Sequence, residues 1–285
     1  MNEKPAKDER RRSTDTITKE DLEEFIATQD DFALELYAYT LARKLGFNPT
    51  HAGSYIDPRT GKARQFDVQA SKAFGENFHI YFAIECKALR PSFPLLVSQI
   101  PRIPAESFLH IVRTIGRGKK GITVLSPRAA DLTGGASLYA MSEFVGKALS
   151  QVGFDDKGKL RSSDSEVFDK WGQAIASSSQ LINRAAALND LAEDPIQNSV
   201  VLPILVVPDG TLWTVNYHGS DKHDEPVQTQ EAQYFIGSTQ TIDASPPATF
   251  ILSHLHIVTK TGLEALLQRF TKGGQDAEHL MGMLY

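Results

Sequence analysis

The sequence predicts an α/β protein built around a mixed β-sheet. Apolar residues recur at helical spacing in several segments, and short apolar runs of strand length lie between them. Of the 285 residues, 41% are hydrophobic and 23% are charged, which is ordinary for a globular protein. A chain of this length can bury a large core, in one large domain or two small ones.

The N-terminal elements follow from capping residues and periodicity. Residues 1–17 are polar and charged, so we expect a disordered tail. Thr18 followed by Asp21 favours the start of a helix, and apolar residues then recur at helical spacing over 22–45. The pattern leaves open whether this stretch is one helix or two helices broken near residues 29–31.

A β-hairpin is predicted next. Strand-like segments at 51–56 and 63–70 flank a turn-rich hexapeptide at 57–62. The chain then turns through 72–77 into an apolar strand at 78–89. The predicted order to this point is helix, strand, strand, strand.

Helices and strands are also predicted in the rest of the chain. The further predicted elements are a helix at 105–114, a strand at 121–125, helices at 138–152 and 165–191, a strand at 199–207, a second hairpin arm at 211–217, a polar loop at 219–233, a strand at 249–259 and a helix at 262–270.

We expect a single domain over residues 18–272. Its motif-bearing core spans 20–125, and further core elements span 165–272. A variable insertion, rich in Gly, Ser and Asp, occupies 131–164, and residues 273–285 are expected to form a C-terminal tail.

The composition also indicates the cellular compartment. Cys86 is the only cysteine and cannot form an internal disulfide, which favours a reducing, cytoplasmic environment. The N-terminal residues lack an apolar signal region, and no run in the chain is long and apolar enough to span a bilayer. We therefore expect a cytoplasmic protein with no membrane partner.

Three ionisable residues stand out around the apolar strand. Glu85 and Lys87 are two positions apart, so they project from the same side of a strand, and Asp67 lies on the preceding hairpin arm. Burying a carboxylate and an ammonium among apolar side chains is unfavourable unless something compensates. A divalent metal and a nucleic-acid phosphate would compensate. The pattern therefore predicts a nuclease site.

The context of this triplet distinguishes it from chance. A triplet with two fixed charged residues arises by chance about once in a chain of this length. Glu85 and Lys87 form the one Glu-x-Lys triplet in the sequence, on an apolar strand. The one Asp-x-Lys triplet, from Asp155 to Lys157, lies in a polar, Gly-containing stretch and is predicted to face solvent.

Glu35 on a helix, Asp67 at the end of a hairpin and Glu85-Cys86-Lys87 on the third strand resemble the PD-(D/E)XK nuclease superfamily. The resemblance implies the restriction-endonuclease-like fold, an αβββαβ core around a mixed sheet, here with additional C-terminal strands and helices. It covers about residues 20–125, with 165–260 supplying another helix and later strands. Phe66 stands where the family motif has proline, at a position with no chemical role.

The resemblance implies a Mg²⁺ site, with Mn²⁺ as a substitute. Asp67 and Glu85 would bind the metal, with the Cys86 carbonyl as a further ligand, and carboxylates are the hard oxygen ligands that Mg²⁺ prefers. Lys87 would orient or deprotonate the attacking water. Glu35 would approach the same metal from its helix. Two alternatives remain open: Glu35 as a surface residue, and the other three as a structural ion-pair network.

A basic stretch follows the predicted site. Residues 87–130 contain eight Lys or Arg residues and one acidic residue, although the whole chain has a net charge of −5. Such a stretch would bind a phosphate backbone or simply face solvent. The candidate nucleic-acid-binding residues in it are Gln99, Arg102, Arg113, Arg117, Lys119 and Lys120.

Two other patterns carry less weight. Residues 116–120 superficially resemble a nucleotide-binding loop, but Arg113 and Lys120 stand where that motif needs glycine and Ser or Thr. His254 and His256 have a spacing that would suit zinc, yet no Cys or further His lies nearby, so ordinary strand residues are the favoured interpretation.

The resulting hypothesis is a metal-dependent phosphodiesterase that acts on DNA and leaves 5′-phosphate ends, as the resemblance implies. A role in restriction or phage defence, with a homodimer or a partner protein, follows by analogy alone. The alternative is a binding or regulatory module with the same fold and no catalytic turnover.

Overall fold

A computed structural model of the chain describes ten segments: residues 16–28, 31–58, 60–75, 77–115, 121–125, 138–140, 143–163, 165–187, 196–242 and 247–282. Within them five α-helices and fifteen strands are present. The helices are α1 (Lys19–Thr28), α2 (Phe32–Lys44), α3 (Ser165–Ala187), α4 (Lys260–Arg269) and α5 (Gln275–Gly282).

The strands are β1 (Asn48–His51), β2 (Ser54–Ile56), β3 (Ala63–Gln65), β4 (Val68–Phe74), β5 (Phe78–Cys86), β6 (Leu95–Pro101), β7 (Ile111–Ile115), β8 (Gly121–Leu125), β9 (Phe144–Phe154), β10 (Leu160–Ser163), β11 (Ile196–Val207), β12 (Leu212–Asn216), β13 (Val227–Gln228), β14 (Glu231–Ile242) and β15 (Ala248–Thr259). All except β2 and β3 form one sheet, whose main path runs β1-β4-β5-β11-β15-β14-β9-β6-β12-β13. Because both parallel and antiparallel pairs occur in it, the predicted mixed α/β class is confirmed.

The sheet is buried on both faces around β5 and β11. Alternate residues of β5, such as Ile80 and Phe82, pack in a core cluster with residues of α2, α4 and α5. The intervening Tyr81 and Ala83 pack with residues of α3 on the opposite face. Helices on both faces explain why β5 is a continuous apolar run rather than an alternating one.

The predicted hairpin is present as a separate two-stranded sheet. Ser54 pairs with Gln65, and Ile56 pairs with Ala63 across the β2–β3 turn. Asp57 in that turn is 1% exposed and accepts a hydrogen bond from the Thr60 hydroxyl. The chain then forms the antiparallel pair β4–β5. Where three strands were predicted, five are present, because the segment at 51–56 contains the end of β1 and all of β2 and the segment at 63–70 contains β3 and the start of β4. The strand expected over 78–89 ends at Cys86.

Two predicted helices are wrong. Residues 105–114 contain the end of a short 3₁₀ helix and the start of β7, which pairs with β8 and β11. Residues 138–152 contain most of β9, which pairs with β6. In both segments, pairing with distant strands overrides a local pattern that also fits a helix.

Other predicted elements also differ from those in the structure. The segment at 211–217 does not form a hairpin with β11, because β12 pairs in parallel with β6 and antiparallel with β13. The loop expected at 219–233 contains β13 and the start of β14. The residues predicted as one helix or two form α1 and α2, and the predicted helix over 165–191 is described as far as Ala187, with 188–191 outside the described residues.

The C-terminal residues add two helices. The predicted helix at 262–270 corresponds to α4, which begins at Lys260 and is capped by the Thr259 side chain. The stretch expected to be a tail contains α5. No helix in the described segments is long and apolar enough to cross a membrane.

Candidate functional site

Asp67 and Glu85 lie side by side on one face of the main sheet. In the β4–β5 pair Val68 is opposite Ile84, and this register places Asp67 across from Glu85. Residues opposite each other in an antiparallel pair project to the same face. Asp67 is 8% exposed and Glu85 is fully buried. The fold therefore brings these two carboxylates together, on the face that α3 covers.

Direct hydrogen bonds fix the position of Asp67. Its Oδ2 accepts a hydrogen bond of 2.7 Å from the Cys86 backbone N–H. The Lys170 ammonium donates to the same carboxylate, at 2.8 Å from Oδ2 and 3.1 Å from Oδ1. A carboxylate held by both a backbone donor and an ammonium is ordered before any ligand binds.

Glu85 is less well satisfied than Asp67. Its Oε2 lies 3.8 Å from Lys170 Nζ, and among the described residues neither carboxylate oxygen has a hydrogen-bond partner, although both are buried. Burial raises the pKa of Glu85 well above its ordinary value, and the charge of Asp67 raises it further. A buried carboxylate without donors is unfavourable, so this position favours either a proton or a cation.

Lys170 on α3 completes the cluster, and the sequence analysis missed it. Its side chain is 17% exposed, and one ammonium reaches both carboxylates. Burial lowers the pKa of Lys170, but the charges of Asp67 and Glu85 outweigh that effect and raise it. Lys170 is therefore the charged partner of the carboxylate pair.

A sequence signal for Lys170 did exist. Val167 and Ala174 of α3 are buried, and Lys170 is three residues after the first and four before the second. That spacing puts the lysine on the buried stripe of an amphipathic helix, where a charged residue needs a partner. The partner itself lies about a hundred residues away, beyond any local pattern.

Glu35 approaches the same cluster from α2. The His51 ring Nε2 lies 3.0 Å from Glu35 Oε2. Burial raises the pKa of Glu35, the nearby Asp67 raises it further, and the hydrogen bond from His51 lowers it in part. The electrostatic influence of Asp67 and Lys170 on Glu35 places it at the edge of the cluster, held by His51.

Lys87 lies immediately after the end of β5. Its backbone N–H donates to the Val206 carbonyl at 2.9 Å, which extends the pairing of β5 with β11. Its Nζ is 4.0 Å from Asp31 Oδ2 at the start of α2. Asp31 also accepts a hydrogen bond from the Ala88 N–H and adds to the negative potential at Lys170. Lys87 therefore faces Asp31 at the rim of the cluster.

Cys86 contributes through its backbone. Its side chain is fully buried in the core that faces α2, and burial raises the pKa of the thiol well above its ordinary value. The Cys86 N–H is already bonded to Asp67, which ties β5 to the carboxylate.

The structure does not bring Gln99 and Arg102 to the carboxylates. Gln99 lies on β6, which four strands of the sheet path separate from β5. Arg102 is 3% exposed, and its guanidinium donates to the Ala140 carbonyl and the Gln233 side chain. Both side chains are buried, and that of Arg102 is engaged within the protein rather than presented on a basic surface.

The remaining basic candidates lie elsewhere or outside the described residues. Arg113 on β7 is partly exposed and donates through Nε to Asn198 Oδ1 at 2.8 Å. Arg117, Lys119 and Lys120 fall within 116–120, which lies outside the described residues.

His254 and His256 converge on Tyr139. The His254 ring stacks on the Tyr139 ring with centroids 3.8 Å apart, and burial lowers the pKa of His254 well below its ordinary value. His256 lies 2.9 Å from the Tyr139 hydroxyl through Nε2 and 3.1 Å from Glu231 Oε1 through Nδ1. Both His256 nitrogens therefore have partners within the protein.

The carboxylate pair offers oxygen atoms of the kind that Mg²⁺ prefers as ligands. The buried oxygens of Glu85 without hydrogen-bond partners, beside those of Asp67, form an incomplete oxygen cluster. Mg²⁺ commonly uses one or two protein carboxylates and takes its other ligands from water or substrate phosphates. Among the described residues no group of three or more His, Cys, Asp or Glu side chains forms a metal cluster. Glu35 would be the third member, and its carboxylate is in hydrogen-bond contact with His51.

A cleft of about 590 Å³ opens beside the cluster, between α1, α2 and the segment after β5. Ala88 and Leu34, which line it, are the chain neighbours of Lys87 and Glu35, whereas Asp67 and Glu85 do not line it. Two basic residues, Arg90 and Lys260, line this cleft together with the acidic Glu24.

Comparison with known proteins gives no guide to the site, because no family model, curated protein or solved structure matches the chain.

Proposed function

We propose that this protein is a Mg²⁺-dependent nuclease of the PD-(D/E)XK superfamily that hydrolyses phosphodiester bonds in DNA. One observation carries the proposal. Asp67 and the fully buried Glu85 lie side by side, and Glu85 lacks hydrogen-bond donors among the described residues. A buried carboxylate without donors favours a bound proton or a cation, and acidic clusters of this kind occur at sites of metal-assisted hydrolysis.

The order of elements around the site supports the superfamily assignment. The chain runs α2, β1, β4, β5, α3 and β11, with the small β2–β3 hairpin and the β6–β10 segment inserted. Strands β1, β4 and β5 pair antiparallel, and β11 pairs in parallel with β5. This arrangement agrees with the αβββαβ order that the family resemblance implies.

The proposed roles follow from the positions of the side chains. Asp67 and Glu85 would hold the metal, with the Cys86 carbonyl and Glu35 as further ligands. A bound Mg²⁺ polarises a phosphoryl oxygen and lowers the pKa of a bound water. Lys87, at the rim, would turn from Asp31 towards that water, orient it and offset the negative charge that develops on the phosphate. The 3′-oxygen would leave, giving 5′-phosphate ends.

The proposed substrate rests on the family resemblance more than on the geometry of the site. DNA is favoured over RNA by the family resemblance alone. Arg90 and Lys260 in the lining of the neighbouring cleft are side chains that can contact a phosphate backbone, although Glu24 lines the same cleft. The net charge of −5 argues against indiscriminate binding to nucleic acids. Restriction or phage defence, with a homodimer or a partner protein, would provide the selectivity that this charge implies.

A cleavage assay tests the proposal. Purified protein is incubated with supercoiled plasmid, linear DNA or single-stranded RNA in Mg²⁺, Mn²⁺ or EDTA. We expect cleavage of DNA that requires the metal and is lost in Asp67→Asn and Lys87→Ala. Lys157→Ala is the matched control, because Lys157 ends the exposed Asp-x-Lys triplet in the turn before β10.

Each other outcome has a definite meaning. DNA binding without cleavage in any metal would contradict the nuclease and support the binding module. Equal cleavage by wild type, Asp67→Asn and Lys87→Ala would assign the activity to a different site or to a contaminant.

A further inference from the structure

We infer that Lys170 is a built-in counter-cation, which lies between Asp67 and Glu85 in the metal-free protein and must be displaced before a divalent cation can bind both carboxylates. The inference rests on the proposed function, because it concerns the metal that this function requires. It adds a residue from α3 to a site otherwise built from α2, β4 and β5.

The first argument is geometric. Lys170 Nζ is 2.8 Å from Asp67 Oδ2 and 3.8 Å from Glu85 Oε2, so it occupies the space that the two carboxylates share. A Mg²⁺ ion bound to both would sit about 2.0–2.1 Å from an oxygen of each. The ammonium and the ion cannot occupy that space together, because they would be in contact and both are positive.

The second argument concerns charge. Asp67 and Glu85 are two carboxylates that share the one ammonium of Lys170. Lys170 reduces the repulsion between the carboxylates without removing it, since Glu85 Oε2 is outside hydrogen-bond distance of the ammonium. A divalent cation would neutralise the pair more completely than a single positive charge.

The third argument is that the side chain of Lys170 can leave. Helix α3 packs against β5 and β11, so its backbone is fixed by the core. The ammonium sits at the end of a four-carbon stem with free rotation, and the side chain retains 17% exposure. Rotation about its side-chain bonds would move the charge towards solvent while α3 stays in place. Metal binding therefore requires a rotamer change, not a movement of the helix.

Metal titration without nucleic acid tests the inference. Thermal unfolding of wild type and Lys170→Met is followed at pH 8 in EDTA and over a series of Mn²⁺ concentrations. We expect Lys170→Met to unfold at a lower temperature in EDTA. We also expect its Mn²⁺-dependent stabilisation to reach half its maximum at a concentration at least about tenfold lower, because the competing charge is gone.

Lys72→Met is the matched control. Lys72 is a partly buried lysine on β4 that donates to the Leu45 carbonyl at 3.1 Å and lies over the Phe47 ring, away from the carboxylates. We expect its loss to lower the melting temperature and to leave the Mn²⁺ midpoint unchanged. If Lys170→Met does not fold, Lys170→Gln and Lys170→Arg replace it, and we expect a lower midpoint for Gln only.

The outcomes separate this inference from the proposed function. An unchanged or higher Mn²⁺ midpoint in Lys170→Met, with a normal response in wild type, would overturn the role of Lys170 and leave the nuclease proposal intact. A wild type that Mn²⁺ does not stabilise at all would overturn the metal site itself, and the wild-type titration alone shows this.

Discussion

The protein buries charged groups in two regions, and the two are satisfied to different degrees. In the C-terminal network, defined here as Glu231, His256, Arg269 and Asp276, Glu231 contacts both His256 and Arg269, and Arg269 also donates to Asp276 at 2.7 Å. In the carboxylate cluster, acidic groups outnumber basic ones and Glu85 lacks a hydrogen-bond donor among the described residues.

This difference distinguishes the proposed metal site from a structural network. Each member of the C-terminal network has a partner within hydrogen-bond distance, as a structural network requires, although the buried Oδ1 of Asp276 has no hydrogen-bond partner among the described residues. Asp67 and Glu85 share one ammonium, so a proton or a bound cation would compensate them further. In the proposed function, incomplete compensation of buried charge, rather than burial of charge alone, marks the site.

The largest expected effect follows from removing one charge of the carboxylate cluster. Glu85→Gln keeps the shape of the side chain but removes its charge, so the metal loses a ligand. We expect metal-dependent DNA cleavage to fall by at least about 10²-fold, the size typical of losing one preorganised electrostatic group. The rate is measured on plasmid under single-turnover conditions. Asp155→Asn, in the exposed turn, is the control and should cleave at the wild-type rate.

The next largest effect is on the free energy of unfolding. Replacing a glutamate by glutamine should change it differently in the two regions. Glu231→Gln leaves His256 and Arg269 without their carboxylate, so we expect the free energy of unfolding to fall by about 2 kcal/mol. Glu85→Gln removes repulsion from Asp67, so we expect it to leave stability in EDTA unchanged or higher. Urea unfolding measures both. A comparable loss of stability in the two variants would remove the distinction drawn between the regions.

The pH dependence of stability should also differ between the two regions. The folded pKa of Glu85 is raised well above the ordinary 4.5, mainly by burial, so the folded protein holds the proton more tightly than the unfolded chain. The contribution of Glu85 to stability therefore falls as pH rises from about 4.5 through its folded pKa. Glu231 behaves in the opposite way. Burial raises its pKa, but His256 and Arg269 outweigh that effect and lower it, so its contribution is lost as pH falls below 4.5.

Unfolding of single variants between pH 4 and 8 in EDTA measures these slopes. Relative to wild type, Glu85→Gln should gain stability as pH rises, and Glu231→Gln should lose less stability on acidification. Parallel curves for Glu85→Gln and wild type would contradict the account of Glu85.

The smallest expected effect lies at the edge of the cluster. His51→Ala removes the hydrogen bond that holds Glu35 and partly lowers its pKa. Glu35 then becomes a poorer carboxylate ligand at neutral pH, so we expect the Mg²⁺ concentration for half-maximal cleavage to rise by up to about tenfold. The rate at saturating Mg²⁺ should change little. A large fall in that rate with an unchanged Mg²⁺ requirement would mean that His51 acts on the substrate instead.

The local sequence pattern predicted those features of the fold that depend on neighbouring residues in the chain. The alternation of faces along β5 predicted that Glu85 and Lys87 project from the same side, and Asp67 was placed on the preceding hairpin arm. The register of β4 and β5 is what places Asp67 across from Glu85. Strands β9 and β14 were not predicted, because β14 is partly exposed along much of its length and β9 also carries residues suited to a helix. Their pairing partners are distant in the chain, and that pairing decides their structure.

The same limit applies to the site. Lys170 was missed because its partners lie on strands far away in the sequence, although its place on the buried stripe of α3 was readable. Arg102 was wrongly grouped with a basic surface by its neighbours in sequence, whereas burial assigns it to the interior. Sequence proximity is thus a poor guide to which charges share a site.

Direct measurement of metal binding tests the central claim that the Asp67–Glu85 pair is a divalent-cation site. Mn²⁺ is titrated into wild type and Glu85→Gln, and free Mn²⁺ is followed by electron paramagnetic resonance. The account predicts saturable binding by wild type that Glu85→Gln loses or greatly weakens. Equal binding by the two proteins, or no binding by wild type, would contradict it.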